Sequence, residues 1–341
     1  MLYKDKKIKK ILMFLGFVVV PVSIFLLSFM IGKFSIPPSQ FVQVMLSKVM
    51  DVPVTWGPSV ETVLFKVRLP RVLAAMLVGA ALSVAGVSYQ GMFKNPLVSP
   101  DILGASAGAG FGASLAIMLS MGLAQIQMSA FLFSIIAVIL VYSISNIMRN
   151  NQVLGLVLSG MLIGNLFQAF TSFLKFMADP NDKLPSITFW LMGGLSGIEY
   201  KDIISVAIPI ALGMIPLFLL RWKINLLTFG DEEARAMGIN TRVLRFIVII
   251  CATLITAASV SISGMIGWVG LIVPHLCRML VGPNYKILLP TTIVVGASYL
   301  LLVDNLCRML STVEIPLGIL TSIVGAPFFL FLILRRRKER E

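Results

Sequence analysis

LSVAGVSYQGMFKNPLVSPDILG, residues 82–104, and VSISGMIGWVGLIVPHLCRMLVG, residues 260–282, decide how the rest of the chain is read. Laid against each other, Ser83, Gly86, Pro96 and Gly104 fall opposite Ser261, Gly264, Pro274 and Gly282. Both stretches lie in hydrophobic surroundings and both lead to a basic turn. They read as equivalent corners of two halves of one membrane protein, a frequent plan for transporters with a path between the halves.

Composition agrees. Hydrophobic residues make up 58% of the chain and charged ones 13%, and several apolar runs exceed the ~18–20 residues that a helix needs to cross a bilayer. An unpaired backbone amide in hydrocarbon costs several kcal/mol, so spans are helices or a closed barrel. Continuous runs, rather than short alternating segments, choose helices. The expected fold is all-α and polytopic.

The first run, Ile11 to Ile31, follows Lys4, Lys6, Lys7, Lys9 and Lys10. It is too long for a signal-peptide core and lacks a small-x-small cleavage site after it, so it reads as an uncleaved span. Arg335, Arg336, Arg337, Lys338 and Arg340 follow the last run. Basic residues are retained in the cytoplasm, which places both termini inside and makes the number of spans even.

The sequence predicts about ten spans, at Ile11 to Ile31, Val72 to Met92, Ile102 to Met121, Met128 to Ile147, Val153 to Phe176, Ile203 to Leu220, Leu244 to Ser263, Val269 to Val281, Ile287 to Leu306 and Ile315 to Leu334. Roughly two-thirds of the 28 lysines and arginines then fall inside, as the positive-inside rule requires. Residues 1–341 are expected to form one transmembrane domain: a first span, a repeat half over 72–176, a sixth span at 203–220, a cytoplasmic segment over 221–243 and a second half over 244–334. The second and seventh spans are five apart and run in opposite directions, so the repeat is inverted. The eighth span, at about 13 residues, is too short to cross unbroken and reads as a broken helix. Gly104, Gly108 and Gly112 have the small-xxx-small spacing of a packed helix interface. Gly32 to Lys66 and Ala178 to Asp202 are expected as outer-surface elements.

The net charge of +13 comes from residues scattered between apolar runs, so topology rather than nucleic acid accounts for it. Cys251, Cys277 and Cys307 lie in or beside spans without C-x-x-C spacing, which indicates neither a disulfide framework nor a zinc site. His275, the one histidine, lacks the companions that a metal or catalytic site needs. No nucleotide-binding loop occurs, so the chain is not expected to be its own ATPase. No carboxylate falls deep inside an expected span, which weakens an ion-coupled carrier, the alternative transport reading.

Three constellations stand out. FGDEEARAMGI, residues 229–239, reads as a short surface helix that Asp231 caps, with Glu232 and Glu233 in the first turn and Gly238 at its left-handed end. It is either a solvated loop or a docking helix for a soluble partner. Arg68 and Arg71 flank Pro70 at the outer start of the second span, and Arg308 lies at the outer end of the ninth. They are either interfacial anchors or receivers for an external partner's carboxylates. Ser159, Asn165, Gln168, Thr171 and Ser172 give the fifth span a polar face, which must meet protein or a watery path.

Five motifs carry a resemblance. VRLPR (67–71), GAALSVAG (79–86), NPLVSP (95–100) with Leu103-Gly104, SGMIGWVGLIVPH (263–275) and EIPLG (314–318) through GAPF (325–328) resemble the FecCD-type permeases, the membrane subunits of ABC importers for iron siderophores, haem and vitamin B12. The resemblance runs from about Arg68 to Leu334. It implies a ten-span subunit working as a homodimer or close heterodimer, two cytoplasmic ATPase subunits that hold ATP and magnesium, an extracytoplasmic substrate-binding protein, and no cofactor or metal on this chain. Location in a bacterial or archaeal cytoplasmic membrane follows from the same likeness. On this pattern Gly230, Asp231, Glu232, Glu233, Ala234, Arg235 and Gly238 form the coupling helix, and Arg68, Arg71 and Arg308 receive the binding protein. The fifth and tenth spans line the path, and Asn150, Asn151 and Gln152 lie near the cytoplasmic gate. Trp268 stands where the family usually has phenylalanine, and Val153 to Asp182 matches only weakly.

Overall fold

The structure, a computed structural model, describes residues 16–50, 53, 54, 56–147 and 152–338, and the side chains of these except 152 and 331–338. Among the described residues there are helices and no strands. In chain order they are α1 (Gly16–Ser28), α2 (Pro38–Leu46), α3 (Pro58–Phe93), α4 (Ala105–Met118), α5 (Leu123–Ser145), α6 (Gln152–Met177), α7 (Lys183–Met192), α8 (Tyr200–Leu219), α9 (Arg221–Leu227), α10 (Asp231–Ala236), α11 (Thr241–Ser263), α12 (Val269–Val281), α13 (Tyr285–Met309) and α14 (Leu317–Lys338). Every expected span coincides with one of them. Six are long and apolar enough to cross a membrane as they stand: α3, α5, α6, α8, α11 and α13.

Two helices form the centre, α3 and α11, each largely buried. Alanine, glycine and serine dominate the buried face of α3, so its neighbours come close enough for backbone contact. A Cβ on Gly86 would sit 1.9 Å from the Gly270 carbonyl oxygen of α12, and one on Gly79 would sit 2.3 Å from that of Gly296 on α13. Gly108 and Gly112 of α4 meet the backbone of α5 at Phe133 and Ser129 in the same way, so the predicted small-residue interface is real. Cys251, Cys277 and Cys307 are all buried and unpaired.

The two halves share one order of elements: α3, α4, α5 and α11, α12, α13 each run long, short, long, and a further helix, α6 or α14, follows. The register inferred from residues 82–104 and 260–282 is wrong, however. Gly86 lies inside α3, whereas Gly264 ends α11 with φ +64. Pro96 sits in a turn, whereas Pro274 lies within α12. Shared Ser, Gly and Pro residues carried the alignment, and helix ends show where it slips.

The second span starts earlier than predicted. Helix α3 already runs from Pro58 on the outer side and passes through a π-helical stretch, Thr62–Arg68, before its α-helical part begins at Leu69. Pro70 does occupy the first turn of that part, directly after the π-helical stretch. The third span also departs from expectation. The apolar run begins at Ile102, but Pro100–Leu103 forms a 3-10 turn and Gly104, with φ +75, precedes the 14 residues of α4. So α4, like the 13-residue α12, is only about 20 Å long against a hydrocarbon core of about 30 Å.

Candidate functional site

The two short spans are preceded by unwound backbone, and both unwound segments reach the same place. Pro100–Gly104 leads into α4 and Gly264–Trp268 into α12. A Cβ on Gly160 of α6 would lie 2.1 Å from the Ile102 carbonyl oxygen, and one on Gly104 would meet Gly164. Residues 160–164 lie some 8–12 residues into α6, or about 12–18 Å along it, so the contact falls near mid-membrane depth.

A groove of about 620 Å³ opens there, lined by Asp101, Gly104 and Ser106 from one half and Met265, Ile266 and Gly267 from the other. Its long wall is α6. Met161, Asn165, Gln168, Ser172 and Lys175 all line it, and alternating steps of four and three put them on a single helical stripe. Of the residues predicted for the path, Asn165, Gln168 and Ser172 are exposed on this wall. Thr171 also borders the groove, but it is buried and its hydroxyl donates to the Phe167 carbonyl at 2.9 Å. Ser159 is not on the wall; it is fully buried in packing. Helix α7 closes one flank through Leu191. Its end, Gly193 (φ +69), lies against the Met265 carbonyl and accepts the Leu317 N–H at 2.9 Å, so part of the supposed outer-surface element is inserted beside α14.

Asp101 corrects the sequence reading. The expectation of no deep carboxylate fails because a re-entrant turn carries Asp101 to mid-depth, where it is exposed in the groove. The Ser106 hydroxyl donates to it.

Gln90 was missed altogether. Near the inner end of α3, its amide donates to the carbonyls of Val98 at 3.1 Å and Gly270 at 3.3 Å, and its oxygen accepts from Arg278. One buried side chain thus ties the turn before α4 to the start of α12. No local pattern in the sequence marks it.

Beside Lys94, at the C-terminal end of α3, α10 is the predicted short helix. Its N-cap is Gly230 rather than Asp231, with φ +154, and the Glu233 carboxylate occupies the space that a Gly230 side chain would fill. Asp231 instead anchors the helix to both halves: Arg245 Nη2 of α11 lies 2.7 Å away and Lys94 Nζ, at the end of α3, 3.3 Å away. Ala234 is fully buried beneath it, and Gly238 ends it with φ +79 as expected. Glu232, Glu233 and Arg235 face outward, flanked by Phe229 and Met237, both more than half exposed. Asn150 and Asn151 lie outside the described residues. Gln152 is the first residue of α6.

The structure brings Arg68, Arg71 and Arg308 together where the α-helical part of α3 begins and α13 ends. All three are buried. Arg68 donates to the carbonyls of Phe29 and Phe34. Arg71 forks onto Asp304, with Nε 2.9 Å and Nη2 2.9 Å from Oδ1, and reaches Glu314 with Nη1 at 2.8 Å. Arg308 Nε lies 3.1 Å from the other Asp304 oxygen, while its Nη1 reaches the Ile31 carbonyl at 3.1 Å. Asp304 is wholly buried and Glu314 remains partly exposed, also accepting from Ser196 at 3.0 Å. Burial opposes ionisation of Glu314, but the Arg71 guanidinium outweighs it and holds the carboxyl below the usual range. Among the described residues no cluster of His, Cys, Asp and Glu could hold a metal.

Two inverted sets of spans, two unwound segments meeting at mid-depth and a polar wall between them define a helical membrane permease. The profile of the FecCD transport family matches residues 19–335. The chain belongs to that family, and so is the permease subunit of an ABC importer. It is 42% identical over 308 residues to the molybdate import system permease protein MolB of Haemophilus influenzae, covering 90% of this chain and 91% of that one. A probable iron chelatin transport system permease protein of Helicobacter pylori is also 42% identical, over 279 residues, 82% of this chain and 84% of that one. Among solved structures, an inward-facing conformation of a putative metal-chelate type ABC transporter superposes with a TM-score of 0.83 at 40% identity, covering 95% of this chain and 99% of that one.

Proposed function

We propose that this chain carries a metal chelate of the iron-siderophore, haem or cobalamin type through a bacterial or archaeal cytoplasmic membrane, with both termini inside. The observation that carries the reading is the groove. Its 620 Å³ and exposed Asn165, Gln168 and Ser172 suit a bulky chelate with many weak hydrogen bonds better than a small tetrahedral oxyanion, which needs converging donors. A second permease subunit, identical or closely similar, completes the path by facing this wall. Two cytoplasmic ATPase subunits bind ATP and magnesium and dock on α10, whose exposed Phe229 and Met237 beside Glu232, Glu233 and Arg235 offer an apolar contact with charges around it. A substrate-binding protein delivers cargo at the outer arginine cluster, and residues 150–152 lie near the inner gate.

No chemistry is required of the chain itself. The nucleotide state of the partner prefers inward- or outward-open forms, and α10, tied through Asp231 to α3 and α11, transmits that preference. The test is uptake of a ferric chelate into liposomes holding the chain, its ATPase and its binding protein. Uptake should require ATP, survive collapse of ion gradients and stop in Gly238→Trp. Uptake without ATP that fails when the gradient collapses would overturn the reading.

A further inference from the structure

Asp101 lies at the N-terminal end of α4, on the 3-10 turn Pro100–Leu103, and faces the groove. A helix N-terminus carries a partial positive charge and unsatisfied N–H groups, and so attracts anions. Here the chain supplies its own anion. The Asp101 carboxylate is exposed in the groove, Ser106 of the first turn of α4 donates to it, and it forms no ion pair among the described residues. Among the described residues lining the groove, the one cationic side chain is Lys175, some 14 residues beyond Met161 on α6 and therefore about 20 Å further out. At that distance the two do not neutralise each other.

We propose that Asp101 sets the charge selectivity of the groove: it rejects bare oxyanions and anionic chelates and admits neutral or cationic ones. This rests on the reading that the groove is part of the path. The middle of the wall, Asn165, Gln168 and Ser172, is uncharged, and with Lys175 about 20 Å away Asp101 is the charged lining residue at the Gly104 end. Any anion reaching the start of α4 meets the Asp101 carboxylate, exposed in the groove beside Ser106. The chelate class of the cargo is thereby narrowed to complexes without net negative charge, such as a neutral ferric trihydroxamate.

The test reads the local potential without needing the cargo. Asn165→Cys and, separately, Ser172→Cys are introduced into the full chain in liposomes, leaving the three buried native cysteines in place. Each is reacted with a cationic trimethylammonium-ethyl and an anionic sulfonato-ethyl methanethiosulfonate. At Asn165→Cys the ratio of cation to anion rates should fall about tenfold when Asp101→Asn or Asp101→Ser is added, and should be restored by Asp101→Glu. At Ser172→Cys, two turns further out, the fall should be smaller. A ratio that stays the same whether Asp101 is kept or replaced by either neutral residue, in protein that does label at Asn165→Cys, overturns the proposal and leaves the path standing. Failure of both reagents to label Asn165→Cys and Ser172→Cys means the wall is dry, which overturns the path reading and this proposal with it.

Discussion

Arg71 holds two carboxylates of unequal exposure, and they differ in what they contribute. Asp304 is fully buried, so removing its main partner strands a charge in a low dielectric. Arg71→Met should cost about 3–5 kcal/mol. Glu314 is partly exposed, and Glu314→Gln should cost about 1 kcal/mol or less because water screens the pair. Thermal unfolding in detergent should therefore show a much larger drop in midpoint for Arg71→Met. The pair also has a predictable pH response. Because the Glu314 carboxyl is held below the usual range in the folded chain, its contribution is present above the ordinary glutamate value of about 4.3 and is lost as pH falls through the lowered folded value. The midpoint difference between the native chain and Glu314→Gln should persist at about pH 4.3 and vanish only in more acidic solution; a difference already gone there would refute the assignment. Gln90 makes a separate case. In Gln90→Leu the Gly270 and Val98 carbonyls lose their donor and Arg278 loses an acceptor, a loss of about 1–3 kcal/mol for each group left unsatisfied. The same midpoint measurement reads it.

At the scale of elements, close approach of backbones decides the packing. A side chain on Gly86 would run into the Gly270 carbonyl on α12, and neither backbone can withdraw from a packed core. Gly86→Val should lower stability by roughly 1–3 kcal/mol or more and reduce recovery of folded protein in size-exclusion chromatography. Gly194→Ala, with open space around it, should leave both unchanged. These elements were unequally legible. Long apolar runs showed α3, α5, α6, α8, α11 and α13 as spans because hydropathy integrates over a whole helix. The break before α12 was visible because the run itself is short. The break before α4 was not, because Ile102 to Met121 stays apolar while Gly104 turns the backbone. That hidden turn is also why Asp101 was missed. The arginines do lie together at one end of α3 and α13, but the pairing of Arg71 with Asp304 and Glu314 joins residues more than 230 positions apart, and no local pattern encodes such a contact.

At the scale of the whole molecule, the outer cluster bears on how a binding protein would engage. Three guanidiniums face two carboxylates, Asp304 and Glu314, which leaves an excess positive charge at the outer end while little of the guanidinium surface is exposed. An acidic group of the binding protein proposed to dock there would therefore compete with Glu314 for Arg71. Two consequences follow, and they point in opposite directions. Arg71→Glu removes the receiving charge and should abolish association. Glu314→Gln removes the internal competitor and should tighten it, by about threefold to tenfold at low salt, with the gain shrinking as screening increases. Surface plasmon resonance on the detergent-solubilised chain, with the purified binding protein at several salt concentrations, measures both. A Glu314→Gln variant that binds more weakly than the native chain would show that Glu314 itself belongs to the contact, and the arginines would then serve only to hold α1, α3 and α13 together.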